Sequence, residues 1–233
     1  MLRGVPNAVE VLAKFRPGTF GEQSPQDALQ RAKKDAEFAN SEIERGFPAL
    51  HAHAVVAIWG ALEASIEDLL VAWVLNKPEV LQNEAFAKLK VSLGDFLWLE
   101  REEQARLLIR ELERASSQRR GIERFESLLQ AIGQSGSIDE GVRKSLFEMF
   151  QVRNVLVHRA GSADRRIAEA CPWLNLTVGA PVLLDHQAFR RYVSSVDAYI
   201  ANVMERVFEP FGIVRSEGDA GCAGTENPTE SES

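Results

Sequence analysis

The sequence predicts an all-α fold: one helical domain, preceded by a short extension and followed by a loose acidic tail. Three observations predict it. Apolar residues recur at three- and four-residue spacings over long stretches, the pattern of one helix face packed against a core. The breaks between these stretches fall at proline or glycine, several with a capping residue. The composition is that of an ordinary globular chain, with 233 residues, 45% hydrophobic and 26% charged, enough to bury a sizeable core. The expected division is 1–23 as extension, 24–215 as helical domain and 216–233 as disordered tail.

The elements follow in order. Ser24-Pro25 followed by Asp27 reads as an N-cap, a first-turn proline and a first-turn acid, opening a helix toward Gly46. Pro48 marks the next break, and a long apolar helix runs from about Leu50 to Asn76. Pro78 starts a shorter helix toward Val91, and Gly94-Asp95 opens another continuing through Leu112, with the REEQAR segment on its outer face. Arg119–Ile132 is a further amphipathic stretch, ended by the Gly133–Ser137 link. Ile138–His158 reads as one helix closed by Ala160-Gly161. Leu174–Leu184 carries β-formers around a Gly-Ala-Pro turn and permits a short β-hairpin. Asp185 caps the last helix, which ends near Phe208 before Pro210 and Gly212.

Lys and Arg number 27 against 34 Asp and Glu, a net charge of −7. That excludes a surface coated with positive charge for gripping duplex DNA. Five of the acids (Glu217, Asp219, Glu226, Glu230 and Glu232) belong to the tail, which has no Lys or Arg, and residues 141–215 carry a net +3. Cys171 and Cys222 form neither a disulfide framework nor a CxxC pair for zinc. The N-terminus shows no secretion signal, and the longest apolar run, Ala54–Leu62, falls short of a membrane span. A soluble, cytoplasmic protein without membrane partner, metal or cofactor is expected.

Two polar residues sit where apolar ones belong. With each helical residue advancing about 100°, Val142, Leu146, Met149, Phe150, Val152, Leu156 and Val157 form an apolar arc about 160° wide, and Arg153 falls near its middle. Its stem snorkels, its charge is paired inside, or the arc faces a partner or cleft. On the Leu50–Asn76 helix, Glu63 lies inside the arc made by Trp59, Leu62, Ile66, Leu69, Leu70, Trp73 and Val74. An embedded acid and an embedded base invite an ion pair, Glu63 with Arg153; the alternative is that each reaches water at an arc edge. His158 follows Arg153 by five residues, so the two diverge by about 140° on a regular helix. Helix distortion near Gly161, or a second copy in a symmetric dimer, would bring them onto one phosphate. Asn154 and His158, four apart, share a face.

The string Arg153-Asn154-Val155-Leu156-Val157-His158 resembles the RNxxxH motif of the HEPN superfamily, whose signature is Arg, four to six residues, then His, often with a polar residue after the Arg. The approach SLFEMFQV and the earlier WGALEASIEDLL, with its embedded acid, resemble that family's surroundings; the resemblance spans residues 45–210. It implies a HEPN-like helical bundle with flanking helices and metal-independent ribonuclease chemistry in a cleft between two protomers. Arg153 would hold the scissile phosphate, a guanidinium fork being suited to phosphate oxygens. His158 would serve as general base or acid, and Asn154 would orient the His or the phosphate. The implied products are a 2′,3′-cyclic phosphate and a 5′-hydroxyl; DNA, lacking the 2′-OH, is not cut this way. The alternative within the family is a non-catalytic module that binds RNA, a nucleotide or a protein partner. Family roles in prokaryotic defence or stress bring an antitoxin or regulatory protein as partner. Some HEPN toxins carry a tyrosine two residues after the His, where they are modified; here that residue is Ala160.

Arg159, Arg165 and Arg166 follow the motif, Arg143 and Lys144 precede it, and Arg190-Arg191 lie on the last helix; together they could form a positive rim for an RNA backbone, the alternative being that each is an ordinary solvated charge. His51 and His53 are about 200° apart on a helix and cannot chelate one metal; capping or surface roles are expected. His186 reads as a first-turn surface residue. Trp59, Trp73, Trp98 and Trp173 read as core packing. A purely structural helical dimer, with Arg153 as a buried ion-pair residue, is the reading outside nucleic-acid chemistry.

Overall fold

The computed structural model describes residues 24–116 and 119–209, together with Glu10. Apart from Glu10 the expected extension lies outside the described residues, as do the acidic tail and Cys222. Among the described residues nine α-helices follow one another from Pro25 on: α1 Pro25–Glu44, α2 Pro48–Asn76, α3 Glu84–Ala87, α4 Leu93–Leu97, α5 Arg101–Ala115, α6 Ile122–Ala131, α7 Glu140–His158, α8 Arg165–Ala170 and α9 His186–Phe208. Short 3-10 turns cover Pro78–Gln82 and Pro172–Leu174. The described residues contain no strand, and the fold is all-α.

The caps explain where the helices begin. Ser24 Oγ accepts from the Asp27 amide at 3.1 Å, Asp139 from Val142 at 3.0 Å, Asp164 from Ile167 at 3.0 Å and Asp185 from Ala188 at 2.7 Å. Each satisfies a first-turn N–H that the helix itself leaves without an acceptor.

Three expected elements form differently. The Pro78–Val91 helix is broken at Asn83, which is extended and whose side-chain amide donates to the Ala131 carbonyl at 3.0 Å. That tie to α6 replaces helical continuity with a contact across the fold. The Gly94–Leu112 helix is likewise two. Gln104 Nε2 donates to the carbonyls of Phe96 and Leu99, both at 3.1 Å, closing α4. Glu100 and Glu103 then form a capping box that opens α5. The hairpin at 174–184 does not form, because that segment pairs with the 161–163 loop instead of with itself. Gly179 and Val182 donate to Ala163 and Gly161, Ala163 donates to Ala180, each at 2.8 Å, and the pairing amounts to one isolated bridge between Ser162 and Pro181. Pro181 has no N–H with which to extend a ladder.

The core lies where α2, α7 and α9 meet, with α5 and α6 closing α2's other flank. Val55, Trp59, Leu62, Ile66 and Leu70 on α2 meet Ala105 and Ile109 on α5, Phe125 and Leu129 on α6, Leu146, Met149 and Val152 on α7, and Val196, Tyr199 and Val203 on α9. The spacings of three and four within each set are the helical periodicity read from the sequence.

Two tryptophans depart from their expected core positions. Trp98 is 90% exposed at the end of α4, beside exposed Leu93 and Leu97, and Trp173 is partly exposed. Trp59 and Trp73 are buried as expected. His51, expected at the surface, is buried: its ring stacks on Phe189 at 4.8 Å between centroids, and its Nδ1 lies 3.2 Å from the Leu184 carbonyl.

Buried polar groups tie α9 down. The Glu148 carboxylate on α7 is almost fully buried and accepts from Trp173 Nε1 and Tyr192 Oη, each at 2.6 Å, and from Arg191. Burial and the Glu148 carboxylate together hold the Tyr192 phenol far above its ordinary range. Glu126 on α6 does the same work lower down: Arg206 grips it with two bonds of 2.9 Å, and Tyr199 donates to it at 2.8 Å. Replacing Glu148 with Ala leaves the buried Tyr192 hydroxyl without its acceptor and removes the partner of Trp173 and Arg191, so a loss of about 1–3 kcal/mol is expected in urea unfolding. Glu169→Ala, which breaks an exposed pair with Arg165, should change stability by less than about 0.5 kcal/mol.

Candidate functional site

The charge pattern that singled out Arg153 and Glu63 becomes a row of alternating charges crossing four helices. Glu63 on α2 places one carboxylate oxygen 3.6 Å from Nη2 of Arg153 on α7 and the other 3.8 Å from Nη1 of Arg124 on α6. Arg124 in turn donates from Nη2 to Glu113 on α5 at 2.6 Å. The order is Glu113, Arg124, Glu63, Arg153, so every cation faces at least one carboxylate. Arg153 and Glu63 keep 24% and 30% of their side-chain surface exposed. The pair is therefore screened by water on one side, and its worth is closer to that of a surface bridge than of a buried one.

Arg153 sits lower in its arc than the apolar pattern implies. The buried residues of α7 are Ser145, Leu146, Glu148, Met149, Gln151, Val152 and Val155, a face rotated about 70° from the apolar arc. The rotation follows from Glu148, whose inward carboxylate needs the donors on α9 and after α8. It leaves Val157 exposed and brings Arg153 from the middle of the arc toward its margin. Nη1 of Arg153 donates to Asn154 Oδ1 at 3.2 Å. Asn154 thus orients the guanidinium and not the histidine. The Arg153 Nε is buried and has no hydrogen-bond partner among the described residues.

His158 ends α7 and is exposed. The helix stays regular through it and closes just beyond, where the amides of Arg159 and Gly161 both donate to the Val155 carbonyl at 2.9 and 3.1 Å. Ala160 and Gly161 take left-handed φ of 49° and 76°. The distortion near Gly161 thus comes too late to turn His158 toward Arg153, and no hydrogen bond or ion pair among the described residues joins them. Within one chain the two side chains diverge by about 140°.

The expected basic rim is dispersed. Arg159 lies 3.5 Å from Asp164, and Arg165 3.6 Å from Glu169. Arg143 pairs with Glu123 and approaches Glu140 at 4.0 Å. The Lys144 ammonium stands 4.5 Å over the Trp173 ring. At a rise of about 1.5 Å per residue, Lys144 lies about 21 Å along α7 from His158, so Arg143 and Lys144 do not share a rim with the motif. Arg166 instead joins Arg124 in a cleft walled by α2, α5 and α6.

Sequence reasoning missed Arg124, Glu113 and Glu148. Arg124 and Glu113 look like ordinary polar positions on amphipathic helices, and nothing in their spacing separates them from solvated charges. Glu148 carried a signal: an acid flanked by Phe147 and Met149 inside an apolar approach. Cys171 is fully buried; burial first, then the Glu148 charge, pushes its thiol up to about 11. Among the described residues no group of three His, Cys, Asp or Glu side chains is arranged to hold a metal ion, and no helix is long and apolar enough to cross a membrane. Compared with known protein families, with curated proteins and with solved structures, the chain matches none.

A double-mutant cycle on Glu63→Gln and Arg153→Gln should return a coupling of about 0.5–1 kcal/mol in denaturant unfolding; a coupling of zero would mean the two charges ignore each other. Cys171 should resist iodoacetamide at pH 8 in the folded protein and alkylate once urea is added, read by peptide mass spectrometry.

Proposed function

We propose that this chain is a metal-independent RNA endonuclease that works as a homodimer, with Arg153 and His158 as its catalytic pair. The observation that carries the proposal is Arg153 itself: a half-buried guanidinium, aimed by Asn154 and Glu63, five residues before an exposed histidine. The resemblance to HEPN ribonucleases supplies the reaction.

In that reaction Arg153 binds the non-bridging oxygens of the scissile phosphate and stabilises the charge that grows on them. The ribose 2′-oxygen attacks phosphorus and its proton passes to a base; the bond from phosphorus to the 5′-oxygen breaks and that oxygen takes up a proton. His158 serves one of these transfers. The ends are a 2′,3′-cyclic phosphate and a 5′-hydroxyl. Because Arg153 and His158 diverge within one helix, the proposal places the His158 of one protomer beside the Arg153 of its partner. Val157, exposed beside His158, offers apolar surface for that contact.

A non-catalytic binding module is the second reading, and one observation favours it: the guanidinium is already engaged by Glu63 and Asn154. In that case wild-type protein retains RNA and leaves it whole. A role in defence and an antitoxin or regulatory partner rest on the family resemblance alone; a cytoplasmic location rests on the sequence, which shows no secretion signal and no membrane-length apolar run.

Wild-type protein should cut single-stranded RNA in EDTA and leave the 2′-deoxy analogue intact. Arg153→Ala and His158→Ala should each reduce cutting by about a hundred-fold or more with unchanged circular dichroism. Cleavage that survives both substitutions, or that requires Mg²⁺, would overturn the assignment. Light scattering at micromolar concentration should report a dimer.

A further inference from the structure

We infer that the cleft walled by α2, α5 and α6 is a binding site for a ligand carrying two or three adjacent phosphates. The cleft holds about 500 Å³, within the range of sites for nucleotide-sized ligands. Six arginines line it against two carboxylates, Glu63 and Glu113. Arg110 and Arg114 come from one face of α5, four residues apart; Arg119 and Arg120 come from the loop that follows; Arg124 and Arg166 come from α6 and α8.

Folding alone gives no reason for this gathering. Like charges around a low-dielectric hollow repel one another, and such a hollow focuses the field onto whatever anion enters. Arg124 is paired with Glu113 and Glu63, and Arg114 with Glu111. The side chains of Arg119, Arg120 and Arg166 make no hydrogen bond or ion pair with any described residue, so the surplus positive charge is uncompensated. Guanidinium forks match phosphate oxygens two bonds at a time, and a run of phosphates brings enough charge to offset several of them.

Two further residues shape the lining of the hollow. Trp59 lines it, is only 1% exposed, and its indole N–H is a buried donor without a partner among the described residues. Its ring packs on Phe125 and Phe150, at 5.6 and 5.4 Å between centroids, which makes a rigid floor. Gly121 lines the cleft too, with φ of 58°, and a Cβ there would meet the Phe150 ring at 3.3 Å. The absent side chain lets the loop bearing Arg119 and Arg120 turn tightly over that floor.

The phosphates belong to a free nucleoside polyphosphate or to the 5′-triphosphate end of an RNA. Binding here does not depend on the Arg153–His158 chemistry, although Glu63 is shared by Arg124 in the cleft and Arg153 in the motif.

The test is isothermal titration of the full chain with inorganic tripolyphosphate, and with orthophosphate at matched ionic strength. Tripolyphosphate should bind at least ten-fold more tightly. The double variant R119E/R120E, and the milder R119A/R120A, should weaken it about ten-fold or more, while K33E/K34E on exposed α1 leaves it unchanged. His158→Ala should bind normally whether or not the protein cuts RNA, so failure here is distinct from failure of the nuclease assignment. ATP and a 5′-triphosphorylated oligoribonucleotide then identify the source of the phosphates, the tighter being the natural class. Tripolyphosphate no tighter than orthophosphate, or equal weakening by K33E/K34E, would overturn the inference.

Discussion

The buried carboxylate of Glu148 is the constraint around which the rest of the molecule is arranged. A carboxylate taken out of water must be met by donors, and those donors come from parts of the chain distant in sequence: Trp173 after α8, and Arg191 and Tyr192 on α9. Meeting them fixes the rotation of α7, the height of α9 and the path of the segment between α8 and α9. That segment then pairs with the 161–163 loop and holds the end of α7 in place. The geometry of Arg153 and His158 is thus a consequence of where a different side chain on the same helix had to point.

The row from Glu113 to Arg153 works by another principle. Each of its members is partly wet, so no single pair contributes much. Its effect is positional: four helices each present one charge, and alternation of sign lets the two arginines approach without an unpaired neighbour. Glu63 occupies the middle and divides its two oxygens between Arg124 and Arg153. The motif and the arginine cleft therefore lie on either side of a single carboxylate, and a change of charge on one side is felt through it on the other.

The helix boundaries were legible because caps and breakers are local. Ser24, Asp139 and Asp185 each bond an amide three residues on, which a reader of the sequence can anticipate. The hairpin at 174–184 and the two overlong helices misled for the opposite reason. Ala131, Phe96, Leu99 and the 161–163 loop supply the bonds that decided those segments, and two of those partnerships join segments remote in sequence or in different helices. The same holds at the site. Asn154 beside Arg153 is a neighbour in sequence, whereas Arg124 and Glu113 became visible only when α5 and α6 were placed.

By itself the sequence determined the all-α class, most of the core and the misplacement of Arg153 and Glu63, because all of these rest on periodicity along single helices. It even carried the pairing of those two charges, since two odd residues on two apolar faces have few other places to go. Only the tertiary structure decided which face of α7 is inside, that α7 stays regular through His158, and that six arginines from four stretches of chain share one hollow. Those outcomes depend on how helices rotate against each other, and that rotation is set by buried polar groups whose partners lie far away in the chain.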